Sequence, residues 1–270
     1  KDADVKVTDE DLKAKYEELK PAFRQNIETR DIKYVDYQIK ASTADRNAVA
    51  KEMNDFQKQL STASDPSVIV SKSSSAIPYL GVPVSSKAYQ QYPDIASKID
   101  SLAIGTTGVI ENKQDNTLNI IRVLSKAQLP DSVQFRQIQI AANTPDEARV
   151  KADSIQKALA AGANFETLAK RYGQTGEKVW FTGQQYEGAP SMSQDNRTFI
   201  NALLNGEVNA VQNVSLAQGN IILQVLDKKD FKTKTTAAVI KKLIDFSKST
   251  RGEAYNKFSE FVAKSTTAAD

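Results

Sequence analysis

The chain has 270 residues, 40% of them hydrophobic, and its 36 Lys and Arg against 33 Asp and Glu give a net charge of +3. This length suffices for one large domain or two of ordinary size, and so small a net charge gives no indication of nucleic-acid binding. The sequence contains neither His nor Cys. Their absence excludes Ser-His-Asp and Cys-His catalysis, disulfides, and metal, haem or iron–sulfur sites that need these ligands.

Membrane and targeting signals are absent from the printed sequence. No window approaches about 18 consecutive apolar residues, so no transmembrane helix is expected. A charged start followed by an apolar stretch, as in a signal peptide, is also missing. Because the sequence begins with Lys1 rather than Met, we expect a processed protein or a piece of a longer one, with any targeting segment or membrane anchor removed.

A helix is predicted near the start of the chain. Thr8 is a suitable N-cap, and the acidic residues 9–11 suit the positive end of a helix dipole better than a metal site. Pro21 ends the helix. Its apolar face consists of Leu12, Tyr16 and Leu19.

The body of the chain repeats itself after about 100 residues. Segment 32–41 resembles 133–142, 99–105 resembles 200–206, and 121–124 resembles 223–226. Between these segments, residues 78–80 correspond to 179–181. Four matches in the same order indicate a duplicated unit.

Each unit is predicted to open with a strand, at 32–41 and at 133–142, and to continue with an amphipathic helix. The second unit then has a short helix capped by Asn164, whereas the corresponding residues 61–75 are Ser-rich and weakly patterned. The apolar positions of these helices are Val49, Met53, Phe56 and Leu60 in the first unit, and Ala148, Ala152, Ile155, Leu159, Phe165, Leu168, Ala169 and Tyr172 in the second.

A strand or turn containing Trp180 and Phe181 follows, and we expect both rings to pack in the core. A third helix ends before Gly206, which is placed to cap it, and strands near 208–213 and 220–227 close the second unit.

The remaining segments are predicted as connections and flanks. Pro130 and Asp131 mark the junction between the units, and 228–234 is interpreted as a solvated linker, with attraction to a membrane surface as the alternative. Two C-terminal helices are expected, one with apolar residues between 239 and 246 and another after Gly252, bearing apolar residues between 255 and 262.

The segment 133–227 resembles a parvulin-type peptidyl-prolyl isomerase domain. The features that carry the resemblance are the opening strand, the run from Gly162 to Tyr172, the Val-Trp-Phe segment at 179–181, the Gly-Glu-Val segment at 206–208, and the strand from Ile221. The N-terminal helix is similar to the one that precedes such domains in SurA- and PpiD-like folding factors, which work in the bacterial periplasm.

The resemblance implies an α+β fold of two tandem parvulin-like domains with flanking helices. The expected divisions are an N-terminal helical segment at 1–29, a degenerate parvulin-like domain at 30–127, a parvulin-like domain at 131–229 and a C-terminal helical segment at 235–270. No cofactor and no metal is expected.

The resemblance implies titratable groups at three pocket positions where this chain has uncharged residues. A His is implied where Gln137 stands, an acid or Cys at Gln174 (or Gly173, if the loop slips by one), and a second His at Ile221. Met192 and Phe199 are expected to supply apolar pocket walls. These five residues are the predicted substrate-binding site, without an assigned catalytic group.

Isomerisation of a prolyl bond breaks no covalent bond, so a His-free pocket retains a route to catalysis. The favoured interpretation is a periplasmic, chaperone-like factor, with a possible membrane anchor outside this sequence. It would bind extended or unfolded, proline-containing client polypeptides, with weak isomerase activity or none. An active isomerase with a rebuilt pocket and a purely structural interaction domain of an envelope complex remain open as alternatives.

Overall fold

The computed structural model describes residues 6–24, 27–30, 32–217 and 219–265. By internal contacts the chain divides into two units. The terminal unit contains Lys1–Ile39 and Arg251–Asp270, and the central unit contains Lys40–Thr250.

The terminal unit is built from the two ends of the chain. Helix α1 (Asp9–Leu19) begins at Thr8, whose hydroxyl and backbone form a capping box with Asp11, as predicted for this helix. Helix α8 (Lys248–Lys264) contributes its residues from Arg251 onward and continues through Gly252, which does not interrupt it. Tyr37 packs against Phe258 of α8, with ring centroids 5.9 Å apart.

The central unit is organised by two very long strands. Strands β3 (Thr117–Ile140) and β6 (Gly219–Leu243) pair antiparallel over almost their whole length. Short strands extend this sheet at both of its edges. They are β1 (Gly105–Thr106), β2 (Ile110–Asn112) and β4 (Val179–Thr182), which pair with β3, and β5 (Val211–Leu216), which pairs with β6.

Six helices cover the two faces of this sheet. One face carries a continuous apolar core, to which α4 and α7 contribute, and the opposite face carries two separate cores at its two ends. Helices α2 and α3 pack at one end of that opposite face, and α5 and α6 pack at the other. The helices are α2 (Thr43–Thr62), α3 (Ser67–Lys72), α4 (Pro93–Ile99), α5 (Pro145–Ala160), α6 (Phe165–Arg171) and α7 (Gln194–Asn205). The predicted α+β class with flanking helices is confirmed.

Segment 32–41 forms no strand, contrary to the prediction from the repeat. The place of an opening strand in the first half is filled by β6 residues from the far end of the chain. Val84 forms an antiparallel bridge with Thr235, and the Ala76 amide donates to the Lys241 carbonyl at 2.9 Å. The apolar residues of β6 from Ala237 onward bury both faces of this strand, whereas Tyr34 is 86% exposed.

The residues predicted as a junction and a linker also lie in the sheet. Pro130 pairs with Phe231 within β3 and β6, so 228–234 is strand rather than solvated linker. Residues 236–243 are likewise strand and not helix, since Val239 and Ile240 are buried on opposite faces. The predicted boundary between 30–127 and 131–229 falls inside the central unit, and the duplication stays a prediction. None of the helices in the described ranges is long and apolar enough to cross a bilayer.

Candidate functional site

The candidate site lies on one sheet face where β3 and β6 pair in the second half. Phe135 of β3 stands opposite Val225 of β6, Gln137 opposite Leu223, and Gln139 opposite Ile221. Directly paired residues point to the same side of a sheet, so all six side chains share this face. Their burial decreases toward Gln139, which is exposed. This end of the face is therefore open to solvent.

Helix α7 and strand β4 add aromatic side chains beside this face. The ring of Phe199 meets Phe135 edge-on at 5.6 Å between centroids and Phe181 at 6.3 Å. Phe181 in turn stacks on Tyr186 at 5.5 Å. The helix is fixed at its start by Ser193, whose hydroxyl accepts from the Asn196 amide. These contacts hold Phe199 in one place.

Gln137 presents an unsatisfied polar atom on this apolar face. Its side-chain oxygen is buried and accepts no hydrogen bond from the described residues. A buried acceptor without a partner is unfavourable by about 1–3 kcal/mol, which a ligand N–H placed there would recover. An amide does not titrate near neutral pH, so Gln137 can bind and orient but cannot transfer a proton as His does.

Gln174 is engaged with the backbone of β3 rather than free. Its amide oxygen accepts from the Gln139 N–H at 2.8 Å, and its amide nitrogen donates to the Gln139 carbonyl at 2.7 Å. The side chain thus pairs with the strand as a neighbouring strand would. Gly173 adopts φ +71°, a left-handed conformation that favours glycine, and this turn brings Gln174 back to the sheet.

The other predicted site residues are placed differently. Ile221 is buried on the shared face, 7% exposed, beside Leu223. Met192 contributes to the same extensive core but also lines a separate cleft with residues 67–79. The structure therefore brings Gln137, Phe199 and Ile221 together on one face, holds Gln174 beside it, and places Met192 at another surface.

Two aromatic expectations need revision. Trp180 is 39% exposed, with the Lys229 ammonium 4.6 Å from its ring centroid, and so is not a core residue. Tyr172 is 38% exposed at the end of α6. Trp180 is exposed because it lies on the short strand β4 at the sheet margin.

The sequence analysis missed Phe135, Leu223 and Gln139. A signal was present, since Phe135 and Gln139 are two residues on either side of Gln137 and must share its face in a strand. Leu223 stands in the same relation to Ile221 on its own strand.

A buried charged cluster at the centre of the long strands was also missed. Lys234 is 1% exposed, and its ammonium lies 2.8 Å from Asp131 and 2.7 Å from Glu187. The Tyr186 hydroxyl lies 3.1 Å from the same ammonium, and Lys232 pairs with Asp131 at 2.5 Å. Each buried charge in the cluster is thus paired.

These pairings set the protonation states in the cluster. Burial alone would raise the pKa of Asp131, but hydrogen bonds and charges from Lys232 and Lys234 outweigh it and hold the pKa below its usual value. Burial alone would lower the pKa of Lys234, but its bonds to Asp131 and Glu187 raise it. Asp131 and Lys234 are accordingly both charged in the neutral range.

The site face carries no titratable side chain at its six paired positions. Elsewhere in the described ranges, no group of three or more acidic residues is placed to hold a metal ion. What the arrangement offers is an apolar surface beside aromatic rings, with one buried amide oxygen that lacks a hydrogen-bond donor among the described residues.

Comparison with known proteins agrees with this geometry. A family model described as the PPIC-type PPIASE domain matches residues 118–229. The match begins within the first part of β3, earlier than the segment 133–227 on which the sequence resemblance rested, and it includes all residues of the candidate site.

Two solved structures of the peptidylprolyl isomerase PrsA are similar to this chain. The PrsA of Bacillus anthracis has 15% identity and a TM-score of 0.29, over 79% of this chain and 88% of that one. The PrsA of Bacillus cereus has 14% identity and a TM-score of 0.29, over 94% of this chain and 79% of that one. Scores this low carry no argument about fold or function. No curated protein matches the chain. The family match is therefore the finding that relates this chain to known proteins: over residues 118–229 it is similar to PPIC-type peptidyl-prolyl isomerase, or parvulin, domains.

Proposed function

We propose that this protein is a folding factor that binds extended client polypeptides, using a parvulin domain with weak isomerase activity or none. The observation that carries the proposal is the composition of the site face. Its paired positions are apolar or amide, and the chain contains no His that could stand near them. Such a face can hold a prolyl ring and its neighbours by burial of apolar area.

The proposal of low activity follows from what the face lacks. Rotation about a prolyl bond has a barrier near 20 kcal/mol and requires no proton transfer, so desolvation by Phe135 and Phe199 can contribute to it. A connected network of polar groups would accelerate the rotation further. Residues of such a network act together, so removing one of them loses most of the rate that the network provides. Here Gln174 is committed to the backbone and Gln137 stands alone.

The terminal unit supports a holding role. Its helices expose apolar side chains that a client could cover. On α1 they are Leu12, 59% exposed, and Tyr16, 56% exposed. On α8 they include Tyr255, 68% exposed, and Val262, 53% exposed.

The second candidate function is an active isomerase with a His-free pocket. The unsatisfied oxygen of Gln137 favours it, because a substrate N–H bonded there would fix the peptide beside Phe199. The family match supports proline-containing polypeptides as ligands under both candidates. A periplasmic location, with any anchor to the inner membrane lying outside these residues, is part of the proposal and comes from the likeness to SurA and PpiD.

Two measurements on the same preparation separate the candidates. Cis–trans exchange of a proline peptide measures isomerase activity, and light scattering of a denatured client measures suppression of aggregation. We expect little turnover together with slowed aggregation. Turnover at the rate of an ordinary parvulin would favour the second candidate, and absence of both activities would leave only the structural interaction domain.

A further inference from the structure

A second cleft lies between the first half of the central unit and the start of α7. It has a volume of about 640 Å³ and is lined by residues of the segment 67–79 together with Ser191, Met192 and Arg197. It is distinct from the candidate site, whose Phe135, Gln137 and Phe199 do not line it. Its volume falls within the range of clefts that bind ligands of several residues.

The walls of this cleft combine apolar side chains with serine hydroxyls, and part of the apolar surface is accessible. Val68 of α3 is 53% exposed, and Pro78 is exposed beside Tyr79. Met192 completes this surface from the other side. An apolar side chain of a ligand would bury area against Val68, Pro78 and Tyr79, which a small anion could not do.

The charge of the cleft is one-sided. Lys72 and Arg197 line it, and no acidic side chain does in the part of the chain that the structure describes. Lys72 is exposed and forms no ion pair with the described residues. The nearest carboxylate in sequence to the start of α3, Asp65, is already bonded to the Ser67 amide and hydroxyl, at 2.9 and 2.6 Å. The Asp65 charge is also attracted by Arg197, so Lys72 is the lining cation that lacks a carboxylate among the described residues, and it favours one from a ligand.

Arg197 is held in a fixed position at this cleft. Its Nε donates to the Leu80 carbonyl at 2.8 Å and one terminal nitrogen donates to the Tyr79 carbonyl at 3.2 Å. Its guanidinium carbon lies 5.0 Å from the centroid of the Tyr79 ring. Gly81 leaves room for it, since a side chain there would begin 2.9 Å from Nε. These bonds leave further N–H donors of the guanidinium for a ligand.

We propose that this cleft binds an extended polypeptide segment that carries a carboxylate beside an apolar side chain. Lys72 and Arg197 contact the carboxylate, and Val68, Tyr79 and Met192 cover the apolar side chain. This inference goes beyond the proposed function because it concerns a second surface and requires no proline. It would give a client two points of attachment, one on the sheet face and one at the cleft.

The test is fluorescence anisotropy of the whole 270-residue chain with a labelled, proline-free hexapeptide of alternating Leu and Glu. We expect it to bind about tenfold more tightly than the same peptide with Gln for Glu, because each partly exposed charge contact contributes up to about 1 kcal/mol. The preference should shrink at high salt. Equal binding of the two peptides, or no binding of either, would overturn the proposal.

Paired variants locate the binding. Lys72→Ala should weaken it about threefold and Val68→Ser by a similar factor, while the exposed positions Lys151 and Val150 of α5 provide the matched controls Lys151→Ala and Val150→Ser. Equal effects of variants and controls would overturn the assignment to this cleft. Inorganic phosphate is added at a concentration equal to that of the peptide's carboxylates. Complete displacement of the peptide would also overturn the assignment, in favour of a site for small anions. Since the peptide lacks proline, failure here leaves the isomerase and aggregation measurements to be judged separately.

Discussion

The ammonium of Lys234 lies 2.8 Å from the Asp131 carboxylate, at the middle of the two strands that run through both halves of the central unit. The two residues lie on β3 and β6, each close to the point where the strand passes from one half to the other. With Glu187, they form a charged cluster enclosed by protein on all sides of the lysine.

Removing the lysine charge should destabilise the protein strongly. We expect Lys234→Met to lower the free energy of unfolding by about 3–5 kcal/mol, because it leaves two carboxylates short of a buried partner. The matched change Lys232→Met removes a 40% exposed partner of the same Asp131 and should cost less than about 1 kcal/mol. Urea denaturation at neutral pH measures both, and similar losses would contradict the assignment of the buried role to Lys234.

The same cluster predicts how stability depends on acidity. The pKa of Asp131 is lowered in the folded protein, where burial is outweighed by the bonds to Lys232 and Lys234, so the unfolded chain binds its proton more readily. The contribution is complete above the ordinary carboxyl pKa and is lost as the pH falls through the folded value. The stability gap between the native protein and Asp131→Asn should therefore narrow as the pH falls below about 4. A stability difference that widens in acid would contradict the lowered pKa of Asp131.

Gly81 should resist substitution. Its φ of +70° is unfavourable for a side chain, and the added carbon atom would lie 2.9 Å from Arg197 Nε. We expect Gly81→Ala to lower the free energy of unfolding by about 1–2 kcal/mol. Gly188→Ala is the control, since no atom lies within 4 Å of the position of its added carbon. Thermal denaturation of the two variants checks this. An equal fall in melting temperature in both would contradict a specific requirement for glycine at position 81.

Truncation of Phe199 should abolish any isomerase activity at a moderate cost in stability. Phe199→Ala removes the ring that contacts Phe135 and Phe181, so whatever isomerase activity exists should be lost. The stability cost should be about 2–3 kcal/mol, below that of a fully buried ring because Phe199 is half-buried. Phe231→Ala, at a 58% exposed position, is the control for truncation of a ring. An isomerase rate unaffected by Phe199→Ala would place the activity elsewhere or in a contaminant.

Any turnover should be insensitive to pH across the range in which His titrates. The chain has no His, and the paired positions of the site face carry no titratable group. The proline-peptide rate should thus stay flat between about pH 5.5 and about pH 8. An inflection near about pH 6.5 would reveal a proton-carrying group that this site does not contain.

Local signals predicted the helices well. The 4, 3, 4 spacing of apolar residues in α2 and α5, the Asn164 cap and the Thr8 capping box all depend on residues close together in sequence. The resemblance also pointed to Gln137 and Phe199, and the structure places them beside the same sheet face, while their role in binding stays a prediction. Met192 was found by the same means, but the cleft that it lines is formed by residues more than a hundred positions away.

Long-range pairing could not be predicted. The apolar run around Val239 and Ile240 suits a buried helix or a buried strand equally, and only its partner β3 decides between them. The charged residues of 228–234 suggested a solvated linker because a buried lysine is recognisable only when its carboxylates are known. Segment 32–41 resembled a strand in sequence but forms none. In the first half, β6 is the strand that pairs with β3.

The course of β6 has a consequence for the order in which the chain can fold during synthesis. The strand residues that complete the first half, from Thr235 to Leu243, leave the ribosome only after the entire second half has been made. The second half can close on its own segments of β3 and β6 while the first half still exposes the edge of β3. An unpaired edge of this kind readily pairs with other chains, so the first half is open to mispairing until residues 235–243 have been made.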